Sequence, residues 1–272
     1  MKSILITGCA SGIGYDAAHH LARRGWRVFA TCRTEDDSAR LRDEGLESFR
    51  LDLTDPDSIV TALAEVLERT GGTLDALYNN AAYACPGAVE DLPVEALRAL
   101  FENNFFGQHA LTRHVIPVMR AQGHGRIVNC SSVLGFAALK WRGAYVATKF
   151  AIEGLSDVLR LEMRGTGIHV VLLQPGPITS RIRVNAIPQF ERWIDWRASA
   201  RAEEYRGLMS RLYEGGTDRF ELPASAVSKK LVRALESKRP RARYMVTTPT
   251  YFAAALKRLL PTRLSDLILD RA

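Results

Sequence analysis

The chain has 272 residues, 47% of them hydrophobic, which is long for an average domain but suits one large parallel sheet with a sizeable core. No uncharged apolar run reaches the roughly 18 residues that a membrane span needs, and the first apolar stretch passes at once into glycines, so neither a span nor a signal peptide is expected and the expected compartment is the cytosol. The net charge of +7 is local: Pro223 to Ala272 holds eleven Lys or Arg against three acids (+8), leaving the rest at −1, which excludes a nucleic-acid module or a polyanion surface spread over the fold.

Cys9, Cys32, Cys85 and Cys130 show no C-x-x-C pairing, and the six histidines form no ligand set, so no metal site is assigned. Ser3 to Thr7 is a short β-rich run followed directly by Gly8-Cys9-Ala10-Ser11-Gly12-Ile13-Gly14 and an amphipathic helix through Arg24. Strand, glycine turn and helix make up the context of a dinucleotide fingerprint. Glycines let the backbone approach a pyrophosphate, and the positive end of the helix starting near Ile13 holds its charge.

The second strand is expected over Arg27 to Cys32. At its end an NAD site would offer an acid to the ribose 2′-hydroxyl; Cys32 followed by Arg33 offers a guanidinium suited to a 2′-phosphate, favouring NADP(H). Glu35, Asp36 and Asp37 just beyond it make the local field mixed.

Ser48 to Leu53 reads as a third strand, with Asp52 placed to accept from an adenine amino group, and Asp55-Pro56-Asp57 opens a helix. Leu74 to Tyr78 reads as a fourth strand leading into Asn79-Asn80-Ala81-Ala82, small enough for close approach to a cofactor. Pro93 opens a long helix to about Gln122 that carries Asn104 and Gly107, and an asparagine amid apolar residues needs partners. Arg126 to Cys130 is a buried strand with Ser132 beyond its end.

Ala144, Ala147, Ala151, Ile152 and Leu155 then keep a helical period, which sets Tyr145 and Lys149 four apart on one face. Burial raises a phenol pKa and a nearby ammonium lowers it. One charge at about 4 Å and an effective dielectric of about 20 is worth roughly 4 kcal/mol, about three pKa units, so the lysine is expected to prevail and make Tyr145 a general acid–base. Ile168 to Leu173 is a sixth strand before Pro175-Gly176-Pro177-Ile178-Thr179-Ser180. Strands alternating with helices at this spacing predict an α/β fold with a doubly wound, mostly parallel sheet and its site at the carboxyl ends of the strands.

With these pieces in order the chain resembles the short-chain dehydrogenase/reductase family to about residue 250, in its branch of retinol-type and steroid-type dehydrogenases and bacterial aldehyde reductases. Thr7-Gly8-x-x-x-Gly12-x-Gly14, Asn79-Asn80-Ala81, Asn104, Ser132, Tyr145-x-x-x-Lys149 and Pro175-Gly176 carry the resemblance. It implies that Tyr145 exchanges the proton, Lys149 holds the nicotinamide ribose, Ser132 positions the carbonyl and Asn104 anchors a water relay. Ser11 and Arg33 would grip the 2′-phosphate, Asp52 and Leu53 flank adenine, Asn80 and Ala81 line the cofactor, and Ile178 meet the carboxamide. Two departures are Ala82, where the family has glycine, and Ser180, where it has threonine.

The function expected is NADP(H)-dependent interconversion of a hydrophobic aldehyde or ketone and its alcohol, by a homodimer or homotetramer. The alternative is a regulator or scaffold that binds NADP(H) without turnover, against which the full set Asn104, Ser132, Tyr145 and Lys149 argues. A nucleotide-sugar epimerase or dehydratase shares Tyr-x-x-x-Lys, but the glycine spacing disfavours it. Residues 181–222, with Phe190, Trp193, Ile194, Trp196, Tyr205, Tyr213 and Phe220, are the expected substrate lid, as either packing or ligand wall. The tail 251–272 is apolar with basic interruptions and reads as a short amphipathic helix, for contact with an anionic bilayer or for packing over the lid or a partner subunit.

Overall fold

The computed structural model describes residues 1–215 and 220–269. Residues 216–219 of the expected lid and 270–272 of the expected tail lie outside the described residues.

The first half of the chain alternates β1 (Ser3–Thr7), α1 (Gly12–Ala22), β2 (Arg27–Cys32), α2 (Glu35–Asp43), β3 (Glu47–Arg50), α3 (Pro56–Thr70) and β4 (Ala76–Asn79). After α4 (Val94–Phe101) and α5 (Gly107–Ala121) come β5 (Gly125–Cys130), α6 (Gly143–Glu162) and β6 (Ile168–Gln174). The last part holds α7 (Ile182–Trp193), α8 (Ala202–Tyr213), α9 (Ser225–Glu236), β7 (Arg243–Met245), α10 (Thr248–Leu259) and α11 (Thr262–Leu269). The strands form one parallel sheet in the order β3-β2-β1-β4-β5-β6-β7, which reverses between β1 and β4 and opens a crevice there.

Both faces of the sheet are covered, so its central strands are buried on both sides, and all five residues of β1 are buried, whereas the edge strands β3 and β7 carry Glu47, Arg50 and Arg243. Ile4, Ile6, Val28, Ala30, Val128 and Val171 face α1 and α9, meeting Ala17, Leu21, Val227 and Leu231. Leu5, Phe29, Leu77, Ile127 and Val170 point the other way, onto Ile59, Leu63 and Val66 of α3 and Leu111, Val115 and Met119 of α5. The helix ends follow from local chemistry. Asp55 accepts from the Asp57 and Ser58 N–H groups with Pro56 in the first turn, and Gly71 ends α3 in the left-handed region.

Several boundaries differ from expectation. β3 ends at Arg50, so Asp52 and Leu53 lie in the following loop, because Asp52 turns the chain by accepting from the Thr54 N–H and hydroxyl. α1 stops at Ala22 instead of Arg24, where Gly25 allows the turn into β2 at φ +82°. β4 is displaced toward Asn79, and β7 was not anticipated. The expected helix from Pro93 to Gln122 is interrupted by a π-helical turn over Glu102–Phe106, and the tail forms two helices instead of one. No described helix is long and apolar enough to cross a membrane.

Gly107 opens α5 against the loop after β3: a Cβ there would stand 2.0 Å from the Leu53 carbonyl oxygen, a backbone atom that cannot swing aside. Gly107→Ala is therefore expected to destabilise the fold by about 1–3 kcal/mol, read as a lower urea midpoint; an unchanged midpoint would show that this contact is not a packing constraint.

Candidate active site

The glycine turn after β1 is built against the end of β4. Thr7 Oγ1 accepts from the N–H groups of Asn80 and Ala81 (both 3.0 Å), and Asn80 Nδ2 donates to the Thr7 and Gly8 carbonyls at 3.0 and 3.2 Å. Gly8 takes φ +73°, and a Cβ on it would lie 2.8 Å from Ala81 Cα. Gly14, one turn into the region, has no more room: its Cβ would meet the Gly8 carbonyl oxygen at 2.2 Å. The crevice between β1 and β4 is thus closed by backbone on one side. Its other side is the start of α1, where Gly12 and Ile13 lead the helix and the N-cap Ser11 spends no side-chain bond on its own helix.

This cradle suits a dinucleotide pyrophosphate: it is walled by the backbone of the glycine turn and the start of α1, whose free first-turn N–H groups attract anions, with Ser180 lying against Gly12. Ala81 is held from behind by Gln108 Nε2, which donates to its carbonyl at 2.6 Å. Arg33 sits exposed just past β2, and its charge reaches Tyr83. Asp52 is committed to Thr54 and faces Arg50 at 3.7 Å, while Leu53 is buried beneath α5. On the opposite side, the Pro175 carbonyl accepts from the Val133 N–H (2.7 Å), Gly176 lies against Thr247 and Thr250, and Ile178 bridges to Leu222.

The four residues expected to carry chemistry come together. Ser132, at the carboxyl end of β5, is 9% exposed; its hydroxyl accepts from the Leu134 N–H at 3.1 Å and stands near enough to the Tyr145 phenol to act on its proton. Tyr145 and Lys149 are both buried on one face of α6. Lys149 Nζ donates to the Cys130 carbonyl at 2.7 Å and lies 5.4 Å from the Tyr145 ring centre. Asn104 is wholly buried at the π turn, which rotates it inward: it exchanges hydrogen bonds with the Tyr83 main chain at 3.1 and 2.9 Å and donates to Thr148, the neighbour of Lys149, at 3.4 Å.

The electrostatic expectation for Tyr145 is corrected. Burial dominates and pushes the phenol well above its ordinary value, with the nearby Ser132 hydroxyl the opposing influence. Lys149 does not prevail because burial lowers its own pKa and its ammonium is turned to a carbonyl.

The segment expected as a substrate lid is mostly packing. Phe190, Ile194 and Tyr205 are buried with Leu100 and Tyr145 in a third apolar cluster, Trp193 and Trp196 lie at its edge, and Tyr213 and Phe220 are exposed. Tyr205 is latched: its hydroxyl donates to Asp91 Oδ2 and accepts from the Ala88 N–H, both at 2.8 Å. Trp141, four residues before Tyr145, holds φ +66° with its ring 4.9 Å from that of Tyr205.

Two further residues escaped the sequence reading. Arg40 of α2 donates to the Ala10 carbonyl at 2.7 Å and so braces the glycine turn, although in sequence it is one charge among many on an exposed helix. Glu153 is buried one turn beyond Lys149, and its position four residues on was the available signal.

A family model described as short chain dehydrogenase matches residues 2–189. The chain belongs to the short-chain dehydrogenase/reductase family. It is 40% identical over 269 residues to the uncharacterised oxidoreductase YbbO of Escherichia coli K12, covering 99% of this chain and 94% of that one. Human 17-beta-hydroxysteroid dehydrogenase type 6 is 32% identical, over all of this chain and 88% of its own length. A solved short-chain dehydrogenase/reductase from Burkholderia phymatum, in complex with NAD, superposes with a TM-score of 0.80 at 25% identity, covering 100% of this chain and 95% of that one. This short-chain dehydrogenase/reductase is accordingly an oxidoreductase on a fold that binds NAD(P).

Proposed function

We propose that the chain interconverts a hydrophobic aldehyde or ketone and its alcohol with NADP(H), using Tyr145 as general acid–base. The observation that carries this reading is Tyr145 itself, buried in an apolar cluster on the helix face that also carries Lys149, with Ser132 buried at the end of β5 beside it. When bound, the dinucleotide supplies a hydride to the carbonyl carbon.

The chain's own residues do the rest. In reduction, Ser132 donates to the carbonyl oxygen and Tyr145 delivers its proton as negative charge develops there. A phenol lifted by burial stays protonated throughout the neutral range, which is the state a proton donor needs. Lys149, with one N–H bond spent on the Cys130 carbonyl, would hold the nicotinamide ribose with the others, and Asn104 steadies Thr148 beside it. Arg33 and Ser11 supply the guanidinium and hydroxyl for a 2′-phosphate, with Arg40 bracing the turn between them.

The apolar cluster around Tyr145 supports a hydrophobic substrate, since the lid must open an aliphatic and aromatic surface to admit it. The relationship to a steroid dehydrogenase points the same way.

Replacing Tyr145 by Phe is expected to lower carbonyl-reductase turnover at least a hundredfold while leaving the NADPH Kd within about threefold. Retention of most turnover would exclude Tyr145 as the acid. Arg33→Ser should weaken NADPH by about tenfold or more and leave NADH nearly unchanged, checked by fluorescence titration of both dinucleotides. Equal loss with both would remove the 2′-phosphate from the account. With a panel of carbonyls, kcat/KM should rise from small polar sugars to long-chain aldehydes, and the opposite order would overturn the substrate class.

A further inference from the structure

Glu153 is a buried carboxylate that the acid–base pair does not account for. It lies on α6 at the next turn after Lys149, 8% exposed, so Tyr145, Lys149 and Glu153 form one inward-facing row. Its Oε1 accepts from Gln174 Nε2 at 2.8 Å, and its Oε2 pairs with Arg243 Nε at 3.1 Å. Gln174 is the last residue of β6 and leads into Pro175, while Arg243 begins β7. Arg243 is shared with Asp157 at 2.6 Å, and Asp157 is held in turn by Arg160 at 3.0 Å. Across the turn after Ser132, Gly135 presses close enough that a Cβ would touch Glu153 Cγ at 3.0 Å and Ser131 Oγ at 2.3 Å.

The groups around Lys149 decide what this carboxylate does. Burial works against the ammonium, and two neighbours, Cys130 from β5 and Glu153 from α6, act in its favour. Cys130 helps only as a thiolate, but burial raises that thiol above its ordinary value, and it packs beside the Tyr78 hydroxyl. At neutral pH it is uncharged. Glu153 is left as the counter-charge. Asp157 is farther along the helix and is drawn outward by two guanidiniums.

We propose that Glu153 is a positioning residue for the reaction: its carboxylate is the counter-charge of the Lys149 ammonium, and its bond to Gln174 fixes α6 against the strand end that leads into Pro175–Ile178. A glutamine in its place could still bond Gln174 and fill the same volume, but could not supply the charge. This rests on the reading of Lys149 as the ammonium beside Tyr145 and the ribose.

The test titrates Lys149 directly in the cofactor-free protein, by lysine-selective ¹⁵N NMR with the Nζ resonance assigned through its loss in K149R, for wild type, E153Q and R243Q. Glu153→Gln should lower the Lys149 pKa by about one unit. Arg243→Gln, which leaves the Glu153 charge uncompensated, should raise it. The alkaline limb of kcat/KM for carbonyl reduction should move down in E153Q by a similar amount, whereas a purely structural role would lower activity at all pH values alike. An unmoved Lys149 titration in E153Q overturns the proposal. Should E153Q not fold, R243Q decides alone, and a fall or no change there overturns it too. The titration needs no turnover, so its failure is distinct from the failure of Tyr145 as the acid.

Discussion

A buried ammonium constrains this molecule more than any apolar contact. Lys149 is 1% exposed, and a charge in the interior costs several kcal/mol unless its hydrogen bonds are met. The 2.7 Å bond to the Cys130 carbonyl meets one of them and pins α6 across the carboxyl end of β5. The same face is then tied in by a polar chain through the middle of the fold: Asn79 Nδ2 donates to Asn129 Oδ1 at 2.8 Å, and Asn129 Nδ2 to Ser156 Oγ at 2.8 Å. Once α6 is set, the place of Tyr145 relative to Ser132 is no longer free. Two of the central strands and one helix therefore set Ser132, Tyr145 and Lys149 against one another, while α7 and α8 pack over them.

Burial accounts both for the closure over Tyr145 and for the shifts of its titratable neighbours. The third apolar cluster keeps water from Tyr145, and the same exclusion lifts the phenol and depresses the lysine. A carboxylate next to the lysine offsets part of this. The loop between Ser132 and Tyr145 pays for its path with Trp141 in the left-handed region, at a cost of about 1–3 kcal/mol that its packing on Tyr205 and the Gly87 N–H bond to its carbonyl (3.0 Å) must over-determine.

Local signals carried the reading of the sequence where they act alone. β1 and β2 fall where their apolar runs and glycine punctuation place them, and Asp55-Pro56 opens α3 as a cap should. The gathering of Ser132, Tyr145 and Lys149 was legible too, from a strand end and a periodic helix, whereas the place of Asn104 beside them was implied only by the family resemblance. What was not legible depends on partners distant in the chain. The π turn at Asn104 is stabilised by Tyr83 and Thr148, which no window of residues 93–122 contains. β7 is three residues in a basic stretch, paired to β6 and visible only through that pairing. The sign of the Tyr145 shift failed for a similar reason: spacing gives the distance along a helix, but not how much water has been removed. Arg40 and Glu153 looked like ordinary helix charges until the glycine turn and the end of β6 came up beside them.

The strand order also governs how the chain is made. β1 lies between β2 and β4, and β4 is reached only at Ala76, so a growing chain emerging from the ribosome carries an apolar edge on β1 with nothing to pair it until some seventy further residues have been added. The glycine turn has no back wall before then, because Asn80 and Ala81 supply it. Parallel pairing of this kind closes large loops and is slow, so the inner edge of the first strand is among the last in the sheet to be covered as the chain folds.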